Sequence, residues 1–430
     1  MLSTSADTLS FDTVFTSVGS ITQSFKIFNN NDEKLLVSKI TLAGGTTSPF
    51  KINIDGTAAT SVSDVEINAN DSLYVFVQVN VDPNNNALPF ILNDSIGIDF
   101  NGNKKWVQLQ AYGQNAVFLN KQRITSSTNW DKKLPYVIIG GLQVDADATL
   151  TISAGTKIFL HADAPFLIDG TLKVNGTKEQ PVVFTGDRLD EDYKDLPAAW
   201  PGIYFRNSSK NNMLRHAIIK NSYQGIVAAD LPSTPDPKVQ LSQCIIDNIY
   251  DAGILGINSS INADNCLITN CGSNISLAGG NYRFINCTVA SFNNNFVSHK
   301  IPVLQISDTE AGNNSHAVNA FFQNCIFWGE SDDVPDEILV NKKGNEPFSV
   351  AFDHILYKAK NDLSNATISS SIKNEPPQFD SINVAENYYD FHFTKKASPA
   401  LHSGIATQFP VDLDDQPRKL IPDIGCYEKQ

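Results

Sequence analysis

The chain has 430 residues and a formal net charge of −14, from 32 lysines and arginines against 46 acids. That balance excludes the basic stripe a nucleic-acid binder needs, and 41% hydrophobic residues exclude a disordered chain. No apolar run reaches the roughly 18–20 residues that span a bilayer, and the length suits two or three domains.

The start, Met1-Leu2-Ser3-Thr4-Ser5-Ala6-Asp7, has neither a basic n-region nor an apolar h-region. The expectation is an exported protein, extracellular or on an outer-membrane surface, whose signal has been removed. Long β proteins rich in Asn, Thr and Ser are mostly of that kind; the other reading is a cytosolic chain.

Residues 9–118 read as an all-β unit. Phe25-Lys26-Ile27-Phe28 runs into the turn Asn29-Asn30-Asn31-Asp32, and further runs follow at Leu35–Leu42, Phe50–Ile54, 73–81, 95–100 and 106–111. Within 73–81, Val75, Val77, Val79 and Val81 alternate with Tyr74, Phe76, Gln78 and Asn80, the period of a strand with one buried face. Turns are expected at 82–86 and 101–103. Six or seven strands over this length predict an immunoglobulin-like sandwich, though without the Cys…Trp…Cys core of antibody domains. The unit resembles sandwich domains found beside anchors and repeats in bacterial surface proteins, which implies a spacer or interaction module.

Residues 119–135 are expected to be a polar linker containing Ser126-Ser127-Thr128-Asn129. Beyond it, 136–430 reads as a solenoid. Leu142-Gln143-Val144 recurs as Leu172-Lys173-Val174, and glycines punctuate the short runs where the chain must turn. The acidic insert 187–195 interrupts the rhythm ahead of Trp200.

The regular ladder follows. Ser242-Gln243-Cys244-Ile245-Ile246, Asp264-Asn265-Cys266-Leu267-Ile268, Ile285-Asn286-Cys287-Thr288-Val289 and Gln323-Asn324-Cys325-Ile326-Phe327 share one spelling. A period of about 20–25 residues with β-branched runs is the signature of stacked coils. The longer steps place inserts at 231–237, rich in proline, and around 297–314. The cysteines are expected as a column of buried free thiols, in preference to a disulfide or a zinc site, for which CxxC and HxxxH spacings are missing. The asparagines before the cysteines are expected to stack and to bond one coil to the next.

Residues 136–428 resemble the right-handed parallel β-helix family, the pectin-lyase-like group in its broad sense. The tail carries the resemblance furthest: Ser398-Pro399-Ala400, Gly404, Asp412-Leu413-Asp414-Asp415-Gln416-Pro417-Arg418 and Pro422-Asp423-Ile424-Gly425-Cys426-Tyr427-Glu428. That series is similar to the SPA…G…DLDGxxR…PDIGAYE ending of choice-of-anchor Q type surface proteins, with Asp415 in place of glycine and Cys426 in place of alanine. With the sandwich, the arrangement resembles surface lipoproteins of Bacteroidetes, which implies a lipid anchor in the precursor.

Enzymes of that resemblance are chiefly polysaccharide lyases and glycoside hydrolases. A lyase implies a base near a neutralising cation, commonly calcium held by aspartates; a hydrolase needs two carboxylates about 5–9.5 Å apart. The candidate catalytic set is Asp187, Arg188, Asp190, Glu191 and Asp192, with Tyr193 and Trp200 as rings on which a sugar could stack. Tyr250 and Asp251, beside Asp247, form a second candidate binding patch, in competition with plain Asx turns. Asp412, Asp414 and Asp415 read as a structural turn paired with Arg418. The seven histidines form no HExxH or similar metal pair, and no cofactor is expected. The reading is therefore a surface protein that binds polysaccharide or another surface ligand without catalysis. The alternatives are a carbohydrate-active enzyme using the 187–195 insert, or a structural or adhesive component.

Overall fold

The computed structural model describes every residue except 1, 16–19, 83–89, 192, 311–313 and 394–396. The chain is all-β and divides into two compact units. One comprises Met1–Val117 together with Leu189–Lys194; the other comprises Phe118–Arg188 and Asp195–Gln430.

The first unit holds two five-stranded sheets around one apolar core. Ser72–Val79 lies between Gln23–Asn29 and Phe50–Ile54 in one sheet. Its valines 75, 77 and 79 are buried while Tyr74, Phe76 and Gln78 point outward, as the alternation requires. The second sheet pairs Phe90–Phe100 with Asn103–Gln114 and Leu35–Leu42, all antiparallel. Thr8–Phe15 then joins Asn103–Gln114 in parallel, a pairing with no local sequence signal because its partners lie about a hundred residues apart. Among the described residues ten strands are present, more than the six or seven expected. Of the turn expected at 82–86, residues 83–86 lie outside the described residues.

Among the described residues the second unit is built on a parallel sheet of 26 strands wound into coils, a parallel β-helix, followed by the antiparallel pair Ser381–Asn383 and Tyr388–Asp390. Each coil contributes short strands whose inward residues stack on those of the next. One inward column runs Val174, Leu214, Leu241, Ala263, Phe284, Phe322, Phe352, and its last three rings stack at 5.3 and 5.0 Å. The segment expected as a linker begins this unit. Val117–Ile124 and Thr128–Trp130 pair with the following coils, because Ile124 and Trp130 turn inward as core residues while the polar residues face out.

All six cysteines are free and buried. Burial pushes the thiols of Cys266, Cys271 and Cys325 well above their usual value, so they behave as small apolar side chains. The residue before each repeat cysteine sits in the left-handed region: Gln243 (φ 53°), Asn265 (50°), Asn286 (52°) and Asn324 (51°). Asparagine tolerates that conformation best among residues with a side chain, which explains the spelling of the repeat.

The ladder of amides bonds less to itself than to the C-terminal segment. Asn324 donates to Asn286 Oδ1 at 2.9 Å, the one rung of the expected kind. Gln243 instead donates to the Asp412 carbonyl at 2.7 Å, Asn265 accepts from Arg418 at 2.7 Å, and Asn324 donates to the Ile405 carbonyl at 2.7 Å. The segment they hold brings Phe379, Phe391, Leu413, Ile424 and Tyr427 over an outer face made by Leu267, Ala290, Ile326 and Leu356. Strands buried on both faces read as continuous apolar runs, as Ile326-Phe327-Trp328 does.

Candidate functional site

The acidic insert is divided between the two units. Asp187 belongs to the β-helix unit, where its carboxylate meets His161 Nδ1 at 2.7 Å. Asp190, Glu191 and Tyr193 group with the sandwich unit. There the Glu191 amide donates to Asp12 at 3.0 Å, and the Glu191 carboxylate is engaged by Lys194 at 2.6 Å. Arg188 closes the β-helix side of the insert, and Asp192 lies outside the described residues. Trp200 overturns its expected role. It is 1% exposed within the coil core, and its indole donates to the Lys220 carbonyl at 3.0 Å, so no ring face is left for a sugar.

Tyr250 is exposed, as a binding residue must be. It forms a staircase with Tyr223 of the preceding coil, the two rings 5.6 Å apart and 25° from parallel, with 54% and 46% of their surfaces open. Asp251 beside them accepts a hydrogen bond from Gln224 at 2.8 Å. The next coil places Gly272 there, where a Cβ would sit 2.3 Å from the Tyr250 carbonyl, so the staircase ends after two rings. Asp247 is turned elsewhere. It accepts from Thr269 at 2.8 Å, and burial raises its carboxyl above the ordinary value.

The tail aspartates hold a turn. Asp412 accepts the amides of Asp414, Gln416 and Glu428, each at 2.8 Å. Arg418 pairs with Glu428 at 3.4 Å rather than with the aspartates expected for it. Asp414 instead joins Lys178 and His392. Among the described residues no group of three or more His, Cys, Asp or Glu could hold a metal ion.

A groove missed by motif reading lies beside the proline-rich insert. It encloses about 510 Å³ and is walled by Leu231, Thr234 and Asp236 of that insert. Its floor is the outer face of three successive coils: Ser260 and Asn262, then Asn281 and Arg283, then Asn319 and Phe321. The register makes two straight columns, Asn262–Arg283–Phe321 and Ser260–Asn281–Asn319, whose members are spaced by the inter-strand distance of about 4.8 Å. Each side chain of the first column stands four residues before a repeat cysteine, and each of the second stands six before. Counting back from Cys266, Cys287 and Cys325 is the signal that finds the groove in the sequence.

Chemically the floor offers three amides, a serine hydroxyl, a guanidinium and one aromatic ring. Asp236 is its only carboxylate among the described residues. Amides can donate and accept at once, which suits vicinal hydroxyls, and a partly exposed ring offers an apolar face for a sugar ring.

Residues 122–231 match the family model described as the pectate-lyase like beta helix domain. The parallel sheet carries that architecture well beyond the matched span. No curated protein matches the chain. Among solved structures, one similar chain is a family 123 glycoside hydrolase from Clostridium perfringens, at 12% identity and a TM-score of 0.20, covering 27% of this chain and 26% of that one. Another is the catalytic unit of a thermostable GH87 alpha-1,3-glucanase from Streptomyces thermodiastaticus strain HF3-3, at 9% identity and a TM-score of 0.23, covering 81% and 88%. This chain thus spans about a quarter of the first and most of the second.

Proposed function

We propose that this is an exported surface protein whose β-helix binds glycan along the 231–237 groove without catalysis, with the immunoglobulin-like sandwich as its spacer. The observation that carries the reading is the groove floor, where polar side chains and one ring stand in register over three coils. A repeated shallow surface suits a polymer, which can make the same contact several times. The single carboxylate in the lining argues for holding over hydrolysing, since hydrolysis uses two. Surface display rests on the tail's resemblance to choice-of-anchor Q type proteins and to lipoproteins of Bacteroidetes. Retention on an array of neutral and acidic glycans tests the binding claim. Retention of at least one polysaccharide supports it, and uniform failure sinks it in favour of a structural or adhesive role.

A hydrolytic reading has one observation in its favour. Asp247 and Asp390 both line a separate cavity of about 370 Å³, beside Tyr388 and His392. It predicts new reducing ends from a bound glycan, lost in Asp247→Asn.

A further inference from the structure

Lys238 ends the insert that walls the groove and is fully buried. Its ammonium donates to three backbone carbonyls: Ala229 at 2.5 Å, Arg206 at 2.9 Å and Asn207 at 3.1 Å. Ala229 is the last strand residue before the insert, so one side chain links the two stems of the loop. Arg206 and Asn207 belong to the preceding coil and anchor both stems to it. The Lys238 amide meets Ser260 Oγ of the groove floor at 2.9 Å, while its carbonyl accepts from Asn212 Nδ2 at 2.9 Å. Buried lysines are rare unless paired, and among the described residues no ion pair accounts for this one. The carbonyl cage does.

We propose that Lys238 is the positioning residue of the groove: its side-chain nitrogen, caged by three carbonyls, closes the 230–237 loop onto the preceding coil and so sets the wall facing Asn262 and Arg283. This rests on the groove being the binding site. The charges around the ammonium are few. Asp230, on the first stem, favours its charged form. Asp236 lies on the loop wall, and Arg206, whose carbonyl is used, turns its guanidinium onto Asp169 at 2.8 Å.

Closure is coupled to the proton. Desolvation holds the closed-state ammonium at about 8, against 10.5 for an ordinary lysine, whereas an opened loop returns it to water. The closed state therefore binds the proton more weakly than the open one. Closure gains as pH rises from about 8 toward 10.5, by up to about tenfold per unit. A neutral amine still has two N–H groups for the carbonyl cage.

The test places a pH-insensitive fluorophore on Ser233→Cys, the six native thiols being buried, and follows anisotropy from pH 7 to 9.5. Alongside it, retention of cellohexaose, xylohexaose, laminarihexaose and polygalacturonate is measured. Anisotropy that rises with pH in the parent, and stays low and flat in Lys238→Met, supports the clamp, as does glycan retention that rises in step. A flat parent profile overturns it whether or not the variant folds. Clear retention of a glycan that is equal in parent and variant at every pH also overturns it, while leaving the glycan reading intact. If no glycan is retained but the anisotropy rises, the clamp stands and the glycan reading falls.

Discussion

Asn286 and Asn324 stand 38 residues apart in the chain and one coil apart in space, joined by an amide–amide hydrogen bond of 2.9 Å. Asn324 also accepts the Ile405 amide at 2.9 Å and donates to its carbonyl at 2.7 Å. A repeat position chosen for its left-handed backbone thus becomes the dock for the C-terminal segment. Asn324→Ala should cost about 4 kcal/mol, from three hydrogen bonds of about 1 kcal/mol each plus about 1 kcal/mol of left-handed strain. Asn324→Gly should cost about 1 kcal/mol less, because glycine removes the strain. Urea denaturation checks the order; equal losses would refute the role given to the backbone.

His392 is gripped on both sides, by Asp390 at 2.6 Å and Asp414 at 3.1 Å, and stacks on Tyr427. The Asp414 carboxylate, foremost, and Asp390 raise its value despite partial burial. A raised folded value means its stabilisation is complete below the free-histidine value of about 6.5 and is lost as pH rises through the folded value. The Tm difference between the native protein and His392→Gln should be largest at about pH 6 and shrink on the alkaline side. A pH-independent difference would remove the ionic account.

Asp264 follows the same direction over a lower pH range. Burial raises its carboxyl to about 6, against hydrogen bonding from Ser242. The folded protein then binds a proton more tightly than the unfolded chain, so this residue adds stability as pH falls from about 6 toward 4, by at most about 3 kcal/mol. In Asp264→Asn that increment should vanish. Denaturation midpoints of the two proteins at pH 7 and pH 4.5 decide the matter, and parallel shifts in both would be inconsistent with it.

The thiol column gives a simple chemical prediction. In the native protein an aromatic disulfide reagent should find no reactive cysteine, since all six are buried out of its reach. In guanidinium chloride all six should react. Fast labelling of the folded chain would mean that the coils open locally.

What was legible in the sequence follows from period. Val75, Val77 and Val79 announced their strand, and the cysteine spellings announced the coils, because stacking forces equivalent positions to repeat. Pairings set by distant partners were not legible. Thr8–Phe15 carries no mark of its parallel neighbour, and 119–135 looked polar because only its inward residues matter to the stack. Trp200 seemed available beside an acidic run, yet a coil corner needed its volume inside. Asn262, Arg283 and Phe321 differ in residue type, and only their common place four residues before a repeat cysteine marks them as neighbours.

The measurement closest to the central claim is quantitative affinity electrophoresis in the glycan that the array identifies, comparing the native protein with Asn281→Ala, Phe321→Ala and Tyr250→Ala. Loss of a stacking ring costs about 0.5–1.5 kcal/mol beyond its buried area, so Phe321→Ala should weaken retention by up to about tenfold. Asn281→Ala should weaken it several-fold, and Tyr250→Ala, away from the groove, should leave it largely unchanged. Undiminished retention in both groove variants, with loss confined to Tyr250→Ala, would contradict the assignment and move the site to the tyrosine staircase.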